Sequence, residues 1–112
     1  MVVCVPVTTE GLIDPRWGRA NRVAITEVTS DGIETWQEYD VGWHTLHDAG
    51  TEGSHHARVA RFLQERHVEG VVANHMGEPM AHMLELMGVK VWLGATGNAR
   101  EAVVHAGGQP SA

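Results

Sequence analysis

The 112-residue chain has a single cysteine, Cys4, which excludes an internal disulfide and a cysteine-based zinc site. Basic residues are also scarce, 8 against 14 acidic ones, giving a formal net charge of -6. Nucleic acid and anionic membranes both require a basic surface, so neither is an expected partner. A small anionic ligand remains compatible, because Arg16, Arg19 and Arg22 cluster locally against the net charge. No apolar run approaches membrane length, and the opening MVVCVPVTTEG turns polar too quickly for a signal peptide. The expected compartment is a reducing cytoplasm. Repeats, low-complexity blocks and linkers are missing as well. One domain over residues 1–107 is therefore expected, followed by a short tail at 108–112.

What is present reads as an α/β chain. VVCVPV (2–7) is continuously apolar and rich in β-branched residues, which suits a central strand covered on both faces. RVAITEV (22–28) and IETWQEYDV (33–41) are strand-like, with the hairpin signal Asp31-Gly32 between them. Glu34, Glu38 and Asp40 mark the third strand as a sheet edge. SHHARVARFLQERH (54–67) has helical period, with Ser54 placed to cap it. EGVVA (69–73) and VKVWL (89–93) are short strands. EPMAHMLELM (78–87) is a helix opened by Pro79, and NAREAVVHA (98–106) is one capped by Asn98.

The order β-β-β-α-β-α-β-α, with right-handed crossovers, predicts one five-stranded mixed sheet of order 3-2-1-4-5 with three main helices. Strand two is antiparallel to strand one, and strands four and five are parallel to it. Ligands of open α/β sheets sit beyond the carboxyl ends of the parallel strands, where connections diverge. Here that point lies between strands one and four. Four of the eight histidines fall within residues 44–56 (HTLHDAGTEGSHH), and His75 follows strand four in ANHMG. Topology thus gathers His44, His47, His55, His56 and His75 at one edge, whereas His67 and His105 end their helices at the opposite one.

Each feature has a plainer use beside the functional one. His55 and His56 border the Val59–Leu63 helix face and would cover the core, but a helix N-terminus keeps imidazole neutral and able to coordinate. His44 and His47 have i, i+3 spacing, useful for ligation if the segment makes a helical turn. Cys4, mid-strand, reads as a small hydrophobe, and Met76, Met80, Met83 and Met87 as helix-core packing. A soft-metal role for Met76 and Met80 is the lesser option. Trp17 and Trp43 either wall a pocket or anchor loops. Gly94 and Gly97 lack the lysine and hydroxyl residue of a phosphate loop.

Three stretches carry a family resemblance: VVCVPV with GLIDPRWGRAN, then VEGVVANHMGEPM, then LMGVKVWLGATGNAREAV. In this order and spacing the chain resembles the dinitrogenase iron-molybdenum cofactor biosynthesis family. The resemblance implies a ribonuclease-H-like fold and a binding protein, not an enzyme, for iron-sulfur-type metal clusters. Where that family often has His-Phe-Gly-Arg in the first loop, this chain has Arg16-Trp17-Gly18-Arg19. The leading expectation is a carrier or scaffold whose metal ligands come from His44, His47, His55, His56 and His75. Arg16, Trp17, Arg19, Asn74 and Gly77 are the candidate ligand-binding residues. Iron is the first expectation for the metal and zinc the second. The partner is the cluster or a protein that donates or accepts it, and the chain is a monomer or weak homodimer. An alternative is a hydrolase with a histidine-bound zinc and Asp48 or Glu52 as base. It is disfavoured by the lack of HExxH, and nuclease chemistry by the lack of carboxylates on the first strand. A third reading is an interaction module whose histidines sense pH.

Overall fold

The computed structural model describes residues 1–46 and 50–107. His47, Asp48, the side chain of Glu52 and the expected tail at 108–112 lie outside the described residues. The strands are β1 (Val2–Pro6), β2 (Arg22–Thr29), β3 (Gly32–Asp40), β4 (Gly70–Val72) and β5 (Lys90–Trp92). The helices are α1 (Trp43–Leu46), α2 (Glu52–Glu65), α3 (Glu78–Leu86) and α4 (Ala99–Gly107), with a 3-10 turn at Trp17–Arg19. The sheet order is β3-β2-β1-β4-β5; β1–β2 and β2–β3 are antiparallel, β1–β4 and β4–β5 parallel. This is the topology expected from the sequence.

Side chains alternate across a strand, and both faces of β1 are covered. Cys4 packs with Val59, Leu63, Met80 and Leu84 beneath α2 and α3. Val3 and Val5 pack with Ala99, Val103 and Ala106 beneath α4. An apolar run with no polar alternation can sit only where helices cover both sides. The two-residue hairpin loop is Ser30-Asp31, and Gly32 opens β3 at φ 112.

One local reading needs correction. The long helix begins at Glu52 and is capped by Thr51, not Ser54. Ser54 is instead the reciprocal partner in a capping box: its amide donates to Thr51 Oγ1, and its Oγ accepts from the Thr51 amide, both at 3.1 Å. His55 and His56 therefore lie past the first turn, where the helix dipole acts weakly. The 43–46 segment, where the sequence left a helical turn open, forms one after Gly42.

The end of α2 is strained. His67 has φ 54 in a Schellman-type closure, in which the Val68 amide donates to Leu63 O at 3.0 Å. Left-handed backbone is costly for any side chain bearing a Cβ. His67→Gly should therefore stabilise the fold by about 0.5–1 kcal/mol, measured by thermal or chemical unfolding.

Candidate functional site

The loop after β1 is stapled before it reaches the site. Val7 bridges to Ile13 and Leu12 to Asn98, and the Asp14 amide donates to Pro6 O at 3.0 Å. Asp14 is buried, and its Oδ1 accepts from both the Arg16 amide (3.0 Å) and Arg16 Nε (3.3 Å). A two-residue side-chain turn of this kind points the chain into the 3-10 turn at Trp17–Arg19.

Arg16 then forms a parallel bridge with His75, which follows β4. Opposed residues in a parallel pair project to the same side, so Arg16 and His75 face one space together. That space is a cavity of about 310 Å³ lined by Arg16, Trp17, Arg19, His55, His56, His75 and Gly77, with Pro15, Gly18, Met76, Pro79 and Met80 completing it. The loops after β1 and β4 and the start of α2 thus meet at the carboxyl edge, as the topology requires.

The expected residues do not all arrive there. His44 is exposed on α1 and does not line the cavity. Asn74 braces the neighbouring loop, its Nδ2 donating to Ala95 O at 3.2 Å, and is not part of the lining. Arg22 is held across the hairpin by Asp40 (3.0 Å) and Glu38 (3.2 Å), hydrogen bonds that raise its pKa. It adds no charge to the cavity. Met76 and Met80 are buried at the cavity wall, so packing and lining are both their roles.

His55 differs from the other two histidines. It is 2% exposed, with Nε2 at 2.8 Å from Gly18 O and Nδ1 at 2.9 Å from Arg58 Nη1. His56 is half-buried and His75 exposed. Arg58 was missed in the sequence, although its i, i+3 spacing from His55 was the available signal. Trp17 and Trp43 are buried edge-to-face with ring centroids 5.2 Å apart; Trp17 lines the cavity and Trp43 backs it. Trp17 Nε1 is buried with no hydrogen-bond partner among the described residues.

A larger hollow of about 560 Å³ runs along α4 on the other face, between Trp92, Leu93, Ala95 and Ala102. Glu101 and His105 are its sole ionisable lining residues, so it offers little donor chemistry. Cys4 is fully buried, which pushes its thiol far above the usual range, only partly offset by Arg66. Thiolate is the reactive form, so native protein should resist iodoacetamide at pH 8 and react only once unfolded, as mass spectrometry would show.

No helix among the described residues is long and apolar enough to cross a membrane. A five-stranded α/β domain with a lined cavity at its switch point is the architecture of a small binding domain. The chain belongs to the family described as dinitrogenase iron-molybdenum cofactor, whose model matches residues 1–108. No curated protein matches it. Among solved structures it is similar to the apo form of the orange protein from Desulfovibrio gigas, with TM-score 0.78, 22% identity, and 99% and 92% of the two chains covered. It is similar to TM1290 from Thermotoga, a candidate NifB protein of the DUF35 family, with TM-score 0.65, 25% identity and coverage of 96% and 88%. PH0822 gives TM-score 0.75 at 14% identity, covering 97% and 93%.

Proposed function

We propose that this chain is a non-catalytic carrier or scaffold for an anionic metal or iron-sulfur-type cluster, held in the cavity at the carboxyl edge of the sheet. The supporting observation is that cavity's lining: imidazoles of His56 and His75, guanidiniums of Arg16 and Arg19, and thioethers of Met76 and Met80 around one space. Imidazole binds iron or zinc, thioether suits soft metals, and guanidinium pairs with negative charge. The family description and the apo state of the orange protein point the same way, since an apo form belongs to a protein that also carries a bound group.

The donor set favours a preassembled cluster over a bare ion. Among the described residues no three His, Cys, Asp or Glu side chains converge to hold a metal. A protein zinc site normally takes three or four such ligands. A cluster brings its own bridging atoms and needs only terminal caps and charge compensation. His56 and His75 are the proposed caps, Arg16 and Arg19 the compensating charges, and Trp17 and Gly77 the walls. Iron is the proposed metal, and a protein that donates or accepts the cluster is the proposed partner.

The test is protein purified without oxygen, before and after reconstitution with ferrous iron and sulfide. Retained iron and acid-labile sulfide with charge-transfer absorption in the visible range is the expected result. Absence of bound metal after reconstitution overturns the reading. Zinc-dependent turnover of a model ester or phosphoester replaces it with a hydrolase.

A further inference from the structure

We infer that His55 is the positioning residue of the site rather than one of its metal ligands: it clamps the arginine-bearing turn Trp17–Arg19 onto α2 and, through Arg58, onto α1. The inference rests on the reading of the cavity as the cluster site, but its geometry stands independently. Arginine has only N–H donors and no acceptor, so at 2.9 Å Arg58 Nη1 donates and His55 Nδ1 accepts. A carbonyl oxygen only accepts, so at 2.8 Å His55 Nε2–H donates to Gly18 O. Both ring nitrogens are thereby committed, in the neutral Nε2–H tautomer. Coordination through either nitrogen would break a hydrogen bond buried with a residue only 2% exposed.

The clamp extends past His55. Arg58 Nη1 also lies 3.3 Å from Leu46 O, the last residue of α1. Trp43, on the same short helix, meets the His55 ring edge-to-face at 6.5 Å. The Trp17–Arg19 turn, α1 and α2 therefore meet around the His55–Arg58 pair. Gly18 lies between Arg16 and Arg19, so holding its carbonyl restrains the backbone from which both side chains extend. In a binding site this is orientation by a supporting partner, and loss of such a partner costs about 10- to 100-fold in affinity.

The test compares His55→Ala, His55→Gln and the unaltered chain in three measurements. Long-range ¹H–¹⁵N spectra at neutral pH should show His55 with Nδ1 unprotonated and Nε2 protonated. Amide exchange should quicken about tenfold at Arg19 and Ala20 in His55→Ala, roughly the worth of one buried hydrogen bond. Those amides donate to Arg16 O at 3.1 Å and Trp17 O at 3.3 Å. Exchange at Val28 and Lys90, in the sheet, should stay unchanged, which separates a local clamp from general loss of stability. Glutamine places an amide nitrogen where Nε2 stands, so His55→Gln should recover the loop protection. The third measurement is iron retained after reconstitution with ferrous iron and sulfide: about tenfold less in His55→Ala, restored by glutamine. A protonated Nδ1 overturns the inference. So does a glutamine variant that protects the loop yet loses as much iron as alanine, because that marks a ligand. If the unaltered chain takes up no iron, the carrier reading falls, and the tautomer and exchange data still decide the clamp.

Discussion

The double variant His56→Ala, His75→Ala should hold less than about a tenth of the iron that the unaltered chain takes up on reconstitution. Even loss of a residue that merely orients a ligand costs about 10- to 100-fold in affinity, so loss of two direct caps should exceed that floor. The two side chains reach the cavity from different elements, α2 and the turn after β4, so neither can replace the other by a rotamer change. Folding should be nearly intact, because His75 is exposed and His56 only half-buried. Each surface change should shift stability by less than about 0.5 kcal/mol. His105→Ala and His67→Asn are the matched controls, since neither residue lines the cavity. Asparagine is the choice at His67 because it tolerates the left-handed backbone there. Iron lost equally in controls and site variants would remove the site from this edge.

Trp43→Ala should cost about 3–5 kcal/mol, the usual range for truncating a large buried aromatic. Against a typical total of about 5–15 kcal/mol, that leaves the domain marginal. Trp43 is 1% exposed, and its ring meets Trp17 at 5.2 Å, Phe62 at 5.7 Å and His55 at 6.5 Å, all edge-to-face. Its amide also donates to Ala20 O at 3.0 Å, so the residue ties α1 to the end of the first loop. Trp36→Ala is the comparison. That ring is half-buried on β3 under Arg100, and its loss should cost far less. Chemical denaturation of both variants checks the ordering, and equal losses would contradict it.

The fold was legible because its strongest signals are periodic or compositional. VVCVPV could only be central, Asp31-Gly32 signalled a hairpin (its loop is Ser30-Asp31, one residue earlier), and each later strand had to return through a helix. With right-handed crossovers, the simplest sheet those features allow has the order 3-2-1-4-5, which is the one observed. What escaped notice lies in short, aperiodic pieces. The helix start moved from Ser54 to Thr51 because a Thr-x-x-Ser pair can cap in two ways, and only geometry selects one. The turn at Trp17–Arg19 and the bridge between Arg16 and His75 have no period to read. The edge that gathers the cavity residues followed from topology, and His55, His56 and His75 line the cavity there, whereas His44 does not. The commitment of His55 was invisible for a different reason. Its partner is a glycine carbonyl 37 residues away, a group every residue possesses and none advertises.

The bridge between Arg16 and His75 also governs how this chain can diverge. Loops normally absorb insertions and deletions freely, because their length costs little free energy. Two loops paired residue against residue lose that licence. One residue added between Asp14 and Arg16 would offset the register, and side chains alternate with each step along an extended segment. Arg16 would then turn from the cavity while the residue before it turned in. Length variation should therefore be tolerated in the hairpin at Ser30-Asp31 and purged between Asp14 and Trp17. A library of single-codon insertions, scored for folded protein and for retained iron, would trace that boundary along the chain.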